Sequence, residues 1–184
     1  MEIISHNQIP DVKILRPKKI GDSRGFFSEI FRRDLLLKNG IEINFVQDNQ
    51  SLSSEAFTLR GLHFQSPPYA QDKLVRVING SIIDIAVDIR KNSPTYGEYI
   101  SVKLSSEELT QILVPAGFAH GFITLESNTE ILYKVSNYYS KDHDHGILWS
   151  DSKLNIDWQV QEEKVILSEK DQNQPTFDKA SKYF

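Results

Sequence analysis

Short runs in which apolar and polar residues alternate, or apolar residues stand together, recur along this chain between clusters of Gly, Pro, Asn and Ser. Period-two patterning with that punctuation predicts β-strands. "VKILRPKKIGDSRGFFSEIF" reads as a strand, a turn at Gly21-Asp22-Ser23 and a second strand. "INFVQDNQS", "FTLRGLHFQ" and "KLVRVI" follow as strands, and "YGEYISVKL", "TQILVPAG", "HGFITLE" and "TEILYKVSNYY" continue the series. "VINGSIIDIAVDIR" carries a hairpin signal, because Asn79-Gly80 suits the positive φ angles of a tight turn. The best helical stretch is "RRDLLLKNG", with Asp34 as its cap and Asn39-Gly40 as its stop. "SSEEL" fits either a one-turn helix through Ser105 and Glu108 or a hairpin turn. The weakly patterned stretch from Asp151 to Phe184 is expected to wrap around the rest.

Eight or more strands with scant helix imply an all-β sandwich, jelly roll or closed barrel. The open mouth of an antiparallel barrel is a natural small-molecule pocket. At 184 residues the chain is expected to form one domain over 1–184, large enough to bury roughly 70% of its unfolded surface. Zero cysteines exclude disulfides and thiolate zinc sites and suit a reducing, cytoplasmic setting. The first residues show no signal-peptide pattern. The longest apolar run, "IIDIAV", is broken by Asp84, so no membrane span is expected. A net charge of -4 argues against a nucleic-acid groove, and any anion site must be a local cluster of cations.

Strand parity sorts the polar residues. Gln47 and Asn49 share a face while Asp48 points away; Phe27 and Glu29 pair likewise, as do His120 and Phe122. Arg60 and His63 are three apart and would face opposite ways in a regular strand. A bulge at Gly61 could re-aim one of them. His63, between Leu62 and Phe64 with Arg60 and Lys73 nearby, is either a satisfied core histidine or a general base in an anion pocket. Asp84 interrupts a buried-looking strand and needs a partner, such as a neighbouring strand or a histidine. Tyr133 shares parity with Ile131 and Val135 and can point inward as packing or as an acid. "KDHDHG" tempts as a metal motif, but its flanking charges favour a solvated turn.

"RGLHFQ…DKLVRVINGSIIDIAVD" and "ILVPAGFAHGF" resemble the two motifs of the cupin superfamily, which implies a jelly-roll barrel, a double-stranded β-helix with few short helices. Metal-binding cupins carry a His-x-His pair and a glutamate in the first motif. Here His63 is followed by Gln65, and Lys73 stands where a carboxylate would be expected, so no metal is expected.

The whole chain resembles the dTDP-4-dehydrorhamnose 3,5-epimerase family more closely still, through "GDSRGFFSEIF", "FVQDNQS", "LRGLHFQ", "QDKLVRVINGSIIDIAVDIR", "VPAGFAHGF", "LYKVSNYY" and "LSEKDQNQPTF" in that order. The resemblance implies inversion of C3 and C5 of a nucleotide-linked 4-keto-6-deoxyhexose, without a cofactor. By motif match His63 is the base, Asp171 orients it, Tyr133 is the opposite-face acid and Lys73 is the cation beside the C4 oxygen. The resemblance also puts Arg24, Arg60 and Lys170 near the phosphates, His120 near the sugar, Glu29, Gln47 and Asn49 as polar ligand contacts, and Phe27 as an apolar wall. Asp144 stands where relatives often have Glu and reaches one methylene less far. The family is typically a homodimer with an N-terminal strand crossing over, so Arg24, Phe27 and Glu29 are expected to serve the neighbouring subunit.

Overall fold

The alternating runs become two facing antiparallel sheets and a small two-stranded arm. The computed structural model describes residues 1–180 and 182–184. Six strands form one sheet: β1 (Glu2–Ser5), β2 (Lys13–Arg16), β5 (Gln47–Ser53), β7 (Lys73–Asn79), β10 (Gln111–Val114) and β12 (Thr129–Val135), in the order β1-β2-β10-β7-β12-β5. Five form the other: β6 (Leu59–Gln65), β8 (Ser81–Asp88), β9 (Tyr99–Ser105), β11 (Phe118–Thr124) and β13 (Asp144–Gly146), in the order β13-β6-β11-β8-β9. The arm pairs β3 (Ile20–Asp22) with β4 (Gly25–Phe27). Strands distant in sequence lie side by side, as β2 with β10 and β7 with β12 do, which is the jelly-roll arrangement of an all-β cupin barrel.

Three apolar clusters follow from strand parity. Between the sheets lie Val75, Val77, Ile82, Ala86, Ile112, Phe118, Phe122 and Ile131. The other face of β8, with Ile83, Ile85 and Val87, packs outward with Leu59, Leu62 and Phe64 against Trp158 and Phe177 of the C-terminal tail. This is why β8 is buried along its whole length: the tail covers the side that a one-sided sheet would leave wet. On the far side of the six-stranded sheet, Leu15, Leu74 and Leu113 are covered by Leu36 and Ile41 from the segment around α1 (Arg33–Lys38). Each fully buried Leu, Ile or Phe of these clusters contributes about 1.5–3 kcal/mol over its exposed state.

Some expectations change. Asn79-Gly80 does not close a hairpin: Gly80 has φ +81°, but β7 and β8 belong to different sheets, so the turn carries the chain across the barrel. "SSEEL" is a sheet-to-sheet turn for the same reason, with Ser105 Oγ accepting from the Glu108 amide at 3.3 Å. Asp34 does not cap α1; the helix begins after Arg32, and Asp34 in its first turn binds the Arg32 guanidinium instead. "KDHDHG" is a solvated turn only in its first half: Lys141–His143 form a single 3₁₀ turn with Lys141 and Asp142 exposed, while Asp144–Gly146 pair with Gln65, Phe64 and His63 as edge strand β13. The arm turns at Ser23-Arg24, since Gly21 and Asp22, expected in the turn, belong to strand β3; β4 stops at Phe27, so parity does not extend to Glu29. The tail does wrap the barrel, through an isolated bridge of Ile166 with Thr58 and two short helices, α2 (Glu169–Gln172) and α3 (Phe177–Ala180).

Candidate active site

A cleft opens into the barrel as two adjoining lobes. The larger, about 450 Å³, is lined by Arg60, His63, Lys73, His120, Tyr133 and Asp171, among others. The second, about 420 Å³, shares His63, Lys73, Tyr133 and Lys170 and adds Gln47, Asn49, Asp144 and Tyr139. Sequence parity bears on four of these groups, Gln47, Asn49, His120 and Tyr133. Gln47 and Asn49 share the cleft face and bond each other at 2.7 Å, while Asp48 turns outward to Lys134. Tyr133 points inward with Ile131, and Phe122 shares the larger lobe with His120.

Arg60 and His63 reach the same lobe because β6 is irregular between them. Opposite, only two steps of β11 separate their partners, Phe122 and His120, so β6 carries one extra residue at Gly61-Leu62. Gly61 has φ +135°, and a Cβ there would lie 2.6 Å from Gly121 Cα. Only glycine tolerates both the angle and the approach. Without the bulge Leu62 would face the cleft; with it, Leu62 joins the outer cluster and His63 turns inward.

His63 Nε2 lies 2.5 Å from Asp171 Oδ1. A carboxylate there fixes the proton on Nε2 and leaves Nδ1 with a free lone pair. Asp171 arrives on α2, whose N-cap Ser168 accepts from the Asp171 amide at 3.1 Å. Burial pushes the Asp171 carboxyl up, but the His63 hydrogen bond and charge, with smaller help from Ser168 and the Gly61 backbone, outweigh it and hold it below the usual value. Lys73 donates to the His63 carbonyl at 3.3 Å. Burial lowers its ammonium to a pKa of about 8; Asp144 and Asp84 hold it up against that, and Lys170 presses it further down. The Tyr133 phenol is pushed above its ordinary value by burial, with Arg60 pulling it back and Asp144 adding to the rise. It therefore holds its proton at neutral pH. Asp84 is entirely buried and both its oxygens meet His120 Nε2, at 3.0 and 2.9 Å, so of the two partners expected for it, a neighbouring strand or a histidine, the side chain takes a histidine.

Lys170 crosses to Asp144 at 2.6 Å, and Tyr139 donates to the same carboxylate oxygen at 3.2 Å. The shorter Asp144 thus reaches a lysine and a phenol on the cleft rim. Gln65, in the second histidine position of a metal cupin, is spent on backbone groups of Tyr69, Tyr138 and Ser140. Among the described residues no group of three or more His, Cys, Asp or Glu is arranged to hold a metal ion.

Arg24, Phe27 and Glu29 do not line this chain's cleft. Arg24 pairs with Asp22, Glu29 pairs with Arg32, and Phe27 is 65% exposed on the arm. Sequence reasoning missed Ser51, Gln71, Tyr139 and Ser168 as cleft residues. For Ser168 a signal existed: "SEKD" has the spacing of a helix N-cap followed by an acidic residue.

A model of the family described as dTDP-4-dehydrorhamnose 3,5-epimerase matches residues 6–179. The chain belongs to this family. Among epimerases of this name, that of Sinorhizobium fredii is 51% identical over 91% of this chain and 86% of its own length. The Bacillus anthracis epimerase, crystallised with TDP and PPi bound, superposes with a TM-score of 0.91 at 48% identity, covering 95% of this chain and 98% of that one. The Legionella pneumophila epimerase in complex with dTDP-4-keto-L-rhamnose gives a TM-score of 0.91 at 43% identity, over 96% and 93% of the two chains.

Proposed function

We propose that this protein is a dTDP-4-dehydrorhamnose 3,5-epimerase, which inverts C3 and C5 of dTDP-4-dehydro-6-deoxy-D-glucose in dTDP-L-rhamnose formation. The observation that carries the residue assignments is the His63–Asp171 pair, 2.5 Å apart, in a cleft shared with Lys73 and Tyr133. The C4 ketone acidifies the C–H bonds on either side of it, so the reaction calls for no cofactor. His63 removes the proton from C3 or C5 with its free nitrogen, and Asp171 steadies the imidazolium formed. The C–H electron pair moves into the ring and the ketone becomes an enolate, whose oxygen the Lys73 ammonium holds. Tyr133 delivers its proton to the carbanion carbon from the other face and the ketone re-forms; the imidazolium then gives its proton to solvent and the phenolate takes one from it, which resets both groups.

The same reading assigns Arg60 and Lys170 to the diphosphate, where a planar guanidinium fork suits paired phosphate oxygens. It assigns Gln47, Asn49 and Asp144 to the nucleoside and His120 to the sugar. Arg24, Phe27 and Glu29 serve the cleft of a second copy in a homodimer. That part is supported by the arm that carries Arg24 and Phe27 and leads on to Glu29, where Ile20, Phe26 and Phe27 are each more than half exposed. Sedimentation tests it: a monomer at working concentration would remove those three residues from the site. Residues 1–184 act as one domain, and the setting is cytoplasmic, which fractionation of the source cells tests.

The reaction is tested in D₂O with dTDP-4-dehydro-6-deoxy-D-glucose. Deuterium is expected at both C3 and C5. Exchange at C3 alone would make the protein a 3-epimerase, and no exchange at either carbon would remove this substrate.

A further inference from the structure

His63 and His120 are direct partners across β6 and β11. Cross-strand neighbours of this kind have Cβ atoms about 4.5–5.5 Å apart, so the two rings stand side by side on the cleft wall. Each presents Nε2 to a carboxylate, His63 to Asp171 and His120 to Asp84. A carboxylate only accepts, so His120 carries its proton on Nε2. Its Nδ1 has no protein partner among the described residues. That nitrogen is not sealed from solvent either, since among them the one buried side-chain polar atom without a partner is Ser28 Oγ. His120 lines the larger lobe, so the free lone pair belongs to the space a ligand would fill.

We propose that Asp84 is a positioning residue. By holding the Nε2 proton of His120 it presents Nδ1 as a hydrogen-bond acceptor, and the group accepted is a hydroxyl of the bound hexose. The assignment rests on the nucleotide-sugar reading above. A fully buried carboxylate is costly, and a neutral amide could fill the same place between Ile83 and Ile85. An amide can turn either its oxygen or its NH₂ to the ring, however, and so cannot dictate the tautomer. The carboxylate can. Asp84 also acts electrostatically on Lys73, and the test must separate the two routes.

Nitrogen NMR on the ligand-free protein labelled with ¹⁵N-histidine reads the tautomer without any substrate. We expect His120 protonated on Nε2 and bare on Nδ1 at neutral pH; a proton on Nδ1, alone or in addition, overturns the proposal even where no variant folds. Asp84→Asn is expected to weaken dTDP-glucose binding about tenfold, the scale of one hydrogen bond, and to leave dTDP binding unchanged. In a His120→Ala background the same substitution should add nothing. Equal weakening of both ligands assigns Asp84 to packing, and a further loss without the His120 ring assigns it to Lys73; either overturns the proposal. Should the unaltered protein bind neither dTDP nor dTDP-glucose, the nucleotide-sugar reading fails and takes the hydroxyl with it, while the tautomer stands on its own measurement.

Discussion

The wall of the barrel and the C-terminal tail both supply the cleft, and they place their side chains by different physics. On the wall, Lys73, Tyr133, Gln47 and Asn49 point inward because ladder pairing and alternation leave them no other direction. The tail has almost no ladder. Asp171 reaches His63 because Phe177 and Trp158 are buried on the outer face of β6 and β8, and because Ser168 caps the turn that carries it. The wall is therefore rigid through many cooperative hydrogen bonds, whereas the tail depends on a few anchors. Chemistry and stability should separate on the wall and move together on the tail.

The largest expected effect is on the wall. His63→Ala should lower turnover by about 10³–10⁴-fold and abolish deuterium exchange at both carbons, while stability falls by only about 1–3 kcal/mol, the cost of leaving the buried Asp171 carboxylate without its partner. Residual exchange at one carbon would mean that a second base serves it. Phe177→Ala comes next, on the tail, where truncating so deeply buried a ring should cost about 3–5 kcal/mol in denaturant unfolding. Its turnover should fall in step, since Asp171 loses its support; full activity in a destabilised variant would break the contrast between wall and tail.

Lys73→Met should reduce kcat by about 10²–10³-fold, the usual worth of one donor to an oxyanion. Its titration has two consequences of opposite sign. In the role proposed for Lys73 the ammonium is the active form, so activity should fall as pH rises through about 8. The folded pKa lies below the ordinary 10.5, so the charged amine weakens the fold at neutral pH, and stability should recover as pH climbs from about 8 to 10.5. Unfolding free energies and a pH–rate profile, with Lys73→Met lacking both features, check the assignment. The smallest effect belongs to the tail again: Ser168→Ala removes a helix cap and should cost about 1 kcal/mol. A small fall in turnover should accompany it, and a fall of more than tenfold would show Ser168 itself touching the substrate.

Much of the cleft was legible in the residues because strand parity is a local property. Gln47 with Asn49, His120 with Phe122, and the inward Tyr133 follow from alternation alone. The bulge at Gly61 was legible as a requirement, since Arg60 and His63 could share a face only through it. Asp171 was reached through resemblance to the family, because the tail shows no periodicity from which its position could be computed. Asn79-Gly80 misled for an instructive reason: the dipeptide specifies a turn's φ angles and says nothing of which strand waits on the far side.

Alternation, turn residues and the run of motifs were sufficient, as sequence, to determine an all-β jelly roll, the inward set on its strands and the family. These depend on interactions between residues near in the chain, or on patterns that recur among relatives. Only the tertiary structure decided that Asp84 meets His120, that Ser168 and Phe177 hold Asp171 against His63, and that Lys170 crosses to Asp144. The pairs Lys170–Asp144, Asp84–His120 and His63–Asp171 join residues 26, 36 and 108 positions apart. Their geometry comes from how two sheets and a tail pack around shared apolar surface, and no local pattern encodes that.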